Sequence, residues 1–351
     1  MKCIFICQEV DLSRPIQATA VTWIREFACH QDMEHVFVFT LRAGEFSLPD
    51  NVTVFSFQQQ HRVGTLISFY AQIVHLLRSH HIDFFWVNQG GPYPVLLLPL
   101  KLLLHKPIFH WKAHPYIGPA MRFYARFCDT KIFTSTPTAF PMPLKKVCAV
   151  GQGIDTTQFR PLNVEKTGDL VTVGRIAASK QLLEIVEILK VCDERYGIRY
   201  RFDIYGEAFE KDRAYQEALQ CRIAQYGLSS YVTLKGAIRH DQLPVTLNTY
   251  RVFLNFSKTA LDKAVVEAMS CGLPVLTSNP CTVEIFPADV ASLLVVPQEN
   301  IMQQAEMLHA LFSKSEAERE TLGKRLREVV IQQHSVEGLI EKIVKEIKNT
   351  S

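Results

Sequence analysis

The chain reads KTALDKAVVEAMSCGLPVLTSN over residues 258–279. Within it, residues 264–269 combine small and apolar side chains with a single glutamate, Glu267, a pattern that favours a largely buried helix. Gly272 is typical of a helix end, and residues 273–276 are typical of a short buried strand. A helix that leads directly into an apolar strand is the repeating unit of a parallel α/β sheet. The presence of Glu267 in a buried helix then requires an explanation, because burying a carboxylate without a partner costs free energy.

The same alternation of apolar runs and amphipathic stretches extends over the whole chain and restarts after residue 161. Such alternation predicts parallel βαβ units with right-handed crossovers. We therefore predict an α/β protein with two tandem, doubly wound, Rossmann-like domains. The predicted strands lie near residues 2–7, 35–41, 52–56, 83–88, 107–111, 130–134, 146–150, 169–173, 201–205, 231–235, 252–256 and 273–277. The predicted helices lie near residues 17–30, 66–80, 93–104, 119–127, 179–194, 210–226, 241–249 and 263–270.

The domain boundaries follow from breaks in this pattern. Glycines and a proline interrupt the periodicity between residues 151 and 161, which indicates an interdomain joint. We place the N-terminal domain at residues 1–152, the C-terminal domain at residues 153–334 and a final amphipathic helix at residues 335–351. Its apolar stripe predicts packing on the N-terminal domain, with its own domain or a membrane as alternatives. The stripe contains Val336, Leu339, Ile340, Ile343, Val344 and Ile347.

Positive charge is concentrated in the first half of the chain. Residues 1–160 contain 15 Lys and Arg against 10 Asp and Glu, whereas the remainder contains 23 against 25. A mildly basic first domain fits an anionic partner, either a membrane surface or a phosphorylated acceptor, with ordinary scatter of surface charge as the alternative. The sequence pI of 8.3 lies below the value above about 9 that nucleic-acid-binding domains show, so we do not expect nucleic acid as a partner.

Cysteine usage and hydropathy predict a cytoplasmic protein. The nine cysteines are scattered without metal-binding spacing, which is typical of a reducing compartment. An apolar strand begins at Cys3, so we expect no leader peptide. The most apolar run, residues 92–104, is interrupted by Pro99 and Lys101 and is shorter than the about 20 residues that a spanning helix needs. Because the first domain is basic, peripheral attachment of the protein to the inner face of a membrane is an alternative expectation.

Several residues suited to ligand binding follow predicted strands of the second domain, where open α/β sheets bind their ligands. Arg175 follows Gly174, and Lys180 lies at the start of the next helix, an arrangement that suits a diphosphate. Gly206 and Gly236 end two further strands and permit close backbone approach to a flat base. The alternatives are a strand-end arginine paired with a surface carboxylate and the ordinary glycines of βα turns.

Glu267 lies one turn into its helix, and a carboxylate offers the two acceptor oxygens that a ribose diol needs. The alternative is a helix glutamate that faces solvent.

Four motifs and a linker of the second half occur together in one known family. The motifs are VGR at 173–175 with Lys180, IYG at 204–206, LKG at 234–236 and VEAMSCGLPV at 266–275; the linker is GQGID at 151–155 followed by FRP at 159–161. Through them, residues 148–280 resemble the family 4 retaining glycosyltransferases of the GT-B fold, also called glycosyl transferases group 1. The first domain matches this family only in outline.

The resemblance implies two domains with a cleft between them, a nucleotide-sugar donor on the second domain and a glycan or lipid-linked acceptor held mainly by the first. Arg175 and Lys180 would hold the diphosphate and stabilise it as it leaves, Glu267 would hold the ribose hydroxyls, and the main chain around Gly236 and Ile238 would contact the base. The implied reaction transfers a hexose-type sugar, with retention and without a cofactor.

Two departures from the family bear on the site. Thr259 stands where the family has a glutamate that contacts the donor sugar, and Asp262 or Lys263 is expected to take part of that role. The first loop, residues 8–14, lacks the paired glycines that the family often has there. The donor-binding residues expected from the resemblance and these replacements are Gly174, Arg175, Lys180, Gly206, Gly236, Ile238, Thr259, Asp262, Lys263 and Glu267.

The first domain supplies further candidates. His114 follows a predicted strand where the family often places a histidine near the reacting sugar, so we expect it to act in catalysis with Arg175 and Lys180 and to contact the acceptor. Gln89 and Gly90 follow the preceding strand and are expected acceptor contacts. His110 lies inside its strand and is expected to serve packing.

No Asp-x-Asp pair or His/Cys metal spacing occurs in the sequence, so we expect a metal-independent reaction. Two alternatives to an active transferase remain. One is a catalytically weak sugar-nucleotide-binding subunit, suggested by Thr259, and the other is a nucleotide-sugar epimerase on the same scaffold.

Overall fold

The structure is a computed structural model that describes residues 1–12, 18–89 and 91–350. The chain forms two compact units. Unit 1 comprises Met1–Gly153 together with the segment that begins at Val336, and unit 2 comprises Ile154–Ser335. Of the predicted first-loop segment, residues 13 and 14 lie outside the described part, as does the acceptor candidate Gly90.

The described residues of unit 1 form one parallel sheet of seven strands. Its order, β3-β2-β1-β4-β5-β6-β7, places the first strand next to the fourth, so that the crossovers run in opposite directions from the middle of the sheet. The strands are β1 (Lys2–Val10), β2 (His35–Ala43), β3 (Val52–Ser56), β4 (Phe84–Asn88), β5 (Ile108–Trp111), β6 (Lys131–Thr134) and β7 (Val147–Ala149).

Helices cover both faces of this sheet. On one face lie α2 (Arg62–Ser79), α3 (Tyr93–Leu104) and the short α4 (Pro119–Phe123), which continues into a π-helical turn at Tyr124–Cys128. On the other face lie α1 (Ala18–Cys29) and the last helix of the chain, α13 (Val336–Lys348). Since successive strand residues point to opposite faces, each layer packs on its own alternate set of Phe, Ile, Val and Trp side chains.

The last helix belongs to unit 1 although unit 2 precedes it in the sequence. All six residues of its apolar stripe are buried beside α1 and the sheet. Polar contacts add to this packing, since His30 Nε2 lies 3.0 Å from Glu341 Oε2 and Lys348 Nζ lies 3.0 Å from Asp32 Oδ2. The amphipathic pattern of the tail is thus explained by burial within unit 1.

Unit 2 contains a parallel sheet of five strands in the order β10-β9-β8-β11-β12. The strands are β8 (Gly168–Val173), β9 (Phe202–Tyr205), β10 (Val232–Gly236), β11 (Tyr250–Asn255) and β12 (Val275–Thr277). The helices are α5 (Leu182–Tyr196), α6 (Arg213–Gln225), α7 (Leu243–Asn248), α8 (Lys263–Ser270), α9 (Pro280–Val283), α10 (Ala288–Leu294), α11 (Ile301–Ser313) and α12 (Glu316–Val329).

These two sheets confirm the predicted α/β class with two doubly wound units. The stretch at 258–279 forms the expected helix α8, with Val265, Val266, Ala268 and Met269 buried, followed by β12. No described helix is both long enough and apolar enough to cross a membrane.

Candidate active site

Three glycines bring the backbones of neighbouring strands together at the carboxyl edge of the unit 2 sheet. The Gly174 N–H donates to the Tyr205 carbonyl at 2.9 Å, and the Gly206 N–H donates to the Gly236 carbonyl at 2.8 Å. A Cβ atom on Gly206 would lie 1.9 Å from the Gly174 carbonyl oxygen, and the φ of Gly206 is +146°, so only glycine fits there. The predicted donor-binding glycines therefore form one connected segment of backbone.

The side chain of Arg175 lies next to this segment and faces two partners. Its Nε lies 3.5 Å from Asp212 Oδ2, and its guanidinium carbon lies 4.9 Å from the centre of the Phe209 ring. A guanidinium over an aromatic face gains a cation–π interaction and keeps several N–H donors for a further acceptor. Arg175 is thus held in place while it remains half-exposed.

Lys180 lies in the turn before α5 and is bound by an acid from another strand end. Its Nζ lies 2.6 Å from Asp262 Oδ1, and the other carboxylate oxygen of Asp262 accepts a hydrogen bond from Asn255 Nδ2 at 2.9 Å. The Lys258 N–H donates to the Ser179 carbonyl at 2.9 Å and joins the two loops. The structure therefore places Asp262, which precedes α8, directly on the lysine expected to bind the diphosphate.

Glu267 is buried, as the sequence predicted, and its partners are His240 and Lys263 of unit 2. Its Oε1 lies 2.9 Å from His240 Nε2 and 3.2 Å from Lys263 Nζ. Burial alone would raise the pKa of Glu267, but the charge of Lys263 and the hydrogen bond and charge of His240 outweigh burial and hold that pKa below its usual value. Glu267 is therefore an ionised carboxylate fixed on two sides.

His240 was missed by the sequence reasoning. It follows β10 by four residues, and its ring lies 5.1 Å from that of Phe159. Open α/β sheets bind ligands beyond the carboxyl ends of their strands, and His240, like Gly236, lies in such a position. Ile238, the other candidate in this loop, is half-buried.

Thr259 takes part in a small hydroxyl and carboxylate cluster. Its Oγ1 lies 2.7 Å from Ser257 Oγ and 3.4 Å from Asp262 Oδ1. The position that departs from the family is thus linked to the acid that binds Lys180. Thr259, Asp262 and Lys180 form one connected group, and Lys263 forms another with Glu267.

The cations at this sheet edge are matched one for one by acids. Arg175 is paired with Asp212, Lys180 with Asp262 and Lys263 with Glu267. An incoming anion meets donors held at defined positions, and it competes with Asp262 for Lys180. Two cations, glycine-rich backbone and the N-terminus of α8 are together suited to a phosphorylated ligand.

The candidates of unit 1 lie at the ends of β4 and β5. His114 is exposed, and its Nδ1 accepts a hydrogen bond from the Tyr116 N–H at 3.1 Å. Gln89 has a left-handed φ of +58°, and its N–H donates to the Trp111 carbonyl at 2.9 Å. Lys112 Nζ donates to the Gln89 carbonyl at 3.3 Å, and burial lowers the pKa of this lysine.

His110 is fully buried within β5, with Nδ1 3.2 Å from Asp129 Oδ2. Among the described residues, no group of three or more His, Cys, Asp and Glu side chains is placed to hold a metal ion.

Two curated proteins are similar to part of the chain. The chain is 27% identical over 199 residues to the putative colanic acid biosynthesis glycosyltransferase WcaL of Escherichia coli (strain K12), a match that covers 54% of this chain and 47% of WcaL. It is 28% identical over 167 residues to a phosphatidylinositol N-acetylglucosaminyltransferase subunit of Arabidopsis thaliana, over 46% of this chain and 36% of that protein. The matches thus span less than half the length of these relatives.

Solved structures are similar over almost the whole chain. HepE from Anabaena, in complex with UDP and glucose, has a TM-score of 0.78 at 16% identity, over 99% of this chain and 100% of that one. WaaG, a glycosyltransferase involved in lipopolysaccharide biosynthesis, has a TM-score of 0.68 at 15% identity, over 98% and 99%. Similarity at such low identity shows the fold alone, and it confirms the GT-B fold class predicted from the sequence.

The family model described as glycosyl transferases group 1 matches residues 154–329. That span is half of the chain and contains every candidate of the unit 2 site. The protein therefore belongs to the glycosyl transferases group 1 family.

Proposed function

We propose that the protein is a glycosyltransferase that moves a hexose-type sugar from a nucleotide-diphosphate sugar to a glycan or lipid-linked acceptor, with retention, in polysaccharide or glycolipid biosynthesis. The observation that carries this proposal is the joint position of Arg175, Lys180 and the buried, ionised Glu267 at one sheet edge. These groups suit the two ends of a nucleotide diphosphate, since cations bind phosphate and a carboxylate accepts from a ribose diol.

In this proposal the donor is held by the backbone and side chains of unit 2. Arg175 and Lys180 bind the diphosphate, and Glu267 accepts hydrogen bonds from the ribose hydroxyls. The backbone around Gly236 and Ile238 contacts the base. A Cβ on Gly236 would meet no other atom within 4 Å, so a flat ring has room there.

The chemical step in the proposal is charge stabilisation of a leaving group. As the bond between the sugar and the diphosphate breaks, negative charge grows on the phosphate oxygens. Arg175, Lys180 and the amide groups at the start of α8 stabilise that charge. An acceptor hydroxyl oxygen forms the new bond to the same sugar carbon, and its proton leaves with the diphosphate. His114, with Gln89 and Gly90, contacts the acceptor, and Thr259 and Asp262 contact the donor sugar. The reaction requires no metal and no cofactor.

Relatives guide the choice of donor and acceptor. HepE has been crystallised with UDP and glucose and with UDP-glucose, and WcaL is named for colanic acid biosynthesis. These relatives support a UDP-sugar donor as the first to test and a surface glycan as the product class. We also propose a cytoplasmic location with peripheral attachment at the inner face of the membrane.

The test combines binding with turnover. Thermal melting with UDP, GDP, ADP and CMP identifies the base, because a ligand at 100 times its Kd adds about 2.7 kcal/mol to the stability of the folded state. Incubation with the matching nucleotide sugars then follows release of the nucleotide diphosphate. Release that depends on an acceptor and is lost in Arg175→Ala supports the proposal.

Two other outcomes would contradict the proposal. Binding without turnover would favour a catalytically weak binding subunit, which the replacement at Thr259 suggests. An altered sugar still attached to its nucleotide would favour an epimerase.

A further inference from the structure

One segment of unit 1 is almost free of acidic residues. Residues 51–128 contain a single acid, Asp83, against seven Lys and Arg. The basic residues are Arg62, Arg78, Lys101, Lys106, Lys112, Arg122 and Arg126. This imbalance accounts for the basic character of the first half, since an excess of six positive charges is confined to less than a quarter of the chain.

The same segment exposes large apolar side chains. Nine of the sixteen large hydrophobic side chains that are exposed among the described residues lie between residues 63 and 127. Val63 is 70% exposed, Leu103 76% and Phe127 63%. The nine are Val63, Leu66, Ile67, Val74, Leu102, Leu103, Tyr116, Phe123 and Phe127. Scattered exposed hydrophobics are ordinary, but this concentration within a fifth of the chain marks an interaction surface.

The topology brings most of these side chains to one outer surface. The crossovers from β3 to β4, β4 to β5 and β5 to β6 run in the same direction across the sheet, so α2, α3 and α4 lie on the same face. We call these helices, with the turn at Tyr124–Cys128, the three-helix layer. Its inner side packs on the sheet, and its outer side presents Val63, Ile67 and Val74 at helical spacing on α2.

Two basic side chains of this layer donate hydrogen bonds to backbone carbonyls. Lys101 Nζ donates to the Cys128 carbonyl at 2.7 Å, and Arg122 Nε donates to the Ile117 carbonyl at 3.3 Å. A carbonyl is a neutral acceptor, so neither contact compensates the charge. Lys101 is partly buried by its contact, whereas Arg122 and Arg126 are exposed beside Phe123 and Phe127.

We propose that the outer surface of the three-helix layer docks on an anionic lipid surface. Exposed aliphatic and aromatic side chains enter the headgroup boundary, and the surrounding Lys and Arg are attracted by anionic lipids. A second copy of the chain fits this surface less well, because a symmetric contact would bring two like-charged layers together. The inference deepens the proposed peripheral location and rests on the proposed function only for its purpose, access to a lipid-linked acceptor.

Vesicle co-sedimentation tests the proposal. The purified chain is mixed with vesicles of phosphatidylcholine, with or without about one third phosphatidylglycerol. We expect binding only to the anionic vesicles, weakened but not abolished as salt is raised, because salt screens charge and leaves apolar contacts intact. Absence of binding at low salt, or equal binding to both vesicle types, overturns the proposal.

Two pairs of substitutions separate the contribution of positive charge to vesicle binding from the contribution of apolar contact. The pair Arg122→Ser with Arg126→Ser should weaken binding about 25-fold, since each basic residue near the surface contributes about a fivefold factor. The pair Leu102→Ser with Leu103→Ser should weaken it about tenfold or more and leave the salt dependence unchanged. Matched controls in unit 2 are Lys324→Ser with Arg325→Ser and Val245→Ser with Ile331→Ser, all at exposed positions. Equal losses in the controls overturn the proposal.

Two further measurements complete the test. Thermal melting and UDP binding verify that each variant is folded, and they fail or succeed independently of docking. Light scattering of the native chain detects self-association. A dimer that dissociates in the Leu102 and Leu103 variant, without any vesicle binding of the native chain, assigns the surface to a second copy and overturns the lipid proposal.

Discussion

At the sheet edge of unit 2, the three cations of the candidate site each have a carboxylate partner, whereas the seven basic residues in residues 51–128 of unit 1 lie in a segment that contains one acid. The first arrangement holds side chains at defined positions and cancels their field at a distance. The second leaves a long-range field with little positional definition. Unit 2 therefore offers a ligand side chains at defined positions. Unit 1 instead offers an anionic surface long-range electrostatic attraction.

The largest expected effect tests whether the paired cations of unit 2 bind a diphosphate. Arg175→Ala and Lys180→Ala should each weaken binding of a nucleotide diphosphate by about 1.5–3 kcal/mol, the contribution of a charge-assisted hydrogen bond, and leave nucleoside binding unchanged. Calorimetry measures both. Lys190→Ala is the matched control, because Lys190 is paired with Glu194 at 3.2 Å along α5. Equal losses for nucleoside and diphosphate would contradict the assignment.

A smaller loss of nucleotide affinity is expected on substitution of Glu267, because the ligand group that it is proposed to bind is a neutral ribose diol. Glu267→Gln retains one acceptor oxygen and loses the charge, so nucleotide affinity should fall by about 1–2 kcal/mol. A 2′,3′-dideoxy nucleotide should lose a similar amount against the native protein and little more against the variant. If the variant unfolds and ribose discrimination is unchanged, Glu267 is a structural residue that binds His240 and Lys263.

The same variant gives a test by pH. The pKa of Glu267 is lowered in the folded protein, so its stabilising contribution is present above the unfolded value near 4.5 and is lost as the pH falls through the folded value. Glutamine does not titrate. The difference in unfolding free energy between the native protein and Glu267→Gln should therefore be largest near neutral pH and shrink in acid. Urea denaturation across this range measures it, and a constant difference would indicate an uncharged Glu267.

Asp262→Asn should produce a gain rather than a loss. Asp262 competes with any incoming phosphate for Lys180, 2.6 Å away. Removing one negative charge near the diphosphate should strengthen its binding by about 1 kcal/mol, as expected for a partly exposed charge pair. Titration of the native protein and the variant with the same nucleotide diphosphate shows the sign. Weaker binding would mean that Asp262 orients Lys180 for its ligand.

The smallest binding effect is expected at Thr259. Thr259→Ala should change nucleotide affinity by less than about 0.5 kcal/mol, because its hydroxyl contacts Ser257 and Asp262 rather than a cation. Sugar transfer should nevertheless fall, since this position is proposed to contact the donor sugar. Intact turnover would assign that contact to Asp262.

Local patterns predicted most of the fold and only part of the site. Apolar runs bounded by glycine and proline identify strands because burial on both faces leaves a strong signal, and all twelve strands were predicted close to their observed positions. The helices from α9 to α12 were not assigned, because α9 and α10 are only four and seven residues long and α11 and α12 lie beyond the last strand.

The pairings within the site could not be read from the sequence. Lys180 and Asp262 are separated by 82 positions, and His240 and Glu267 by 27. Such contacts depend on which strand ends become neighbours. The order of strands in the sheet determines this, and the hydrophobic periodicity of the sequence does not reveal that order. The burial of Glu267 was predictable from its apolar neighbours in α8, but its dependence on His240 was not.

The position of α13 in unit 1 has a consequence for how the protein is made. A ribosome adds about 5–20 residues per second, so the 182 residues of unit 2 take roughly 10–40 seconds to synthesise after unit 1 is otherwise complete. During that interval the apolar surface of α1 and the sheet that α13 will cover is exposed to solvent. Unit 1, whose synthesis starts first, therefore completes its folding last. A chaperone that shields this apolar surface would be needed most before Val336 has been synthesised.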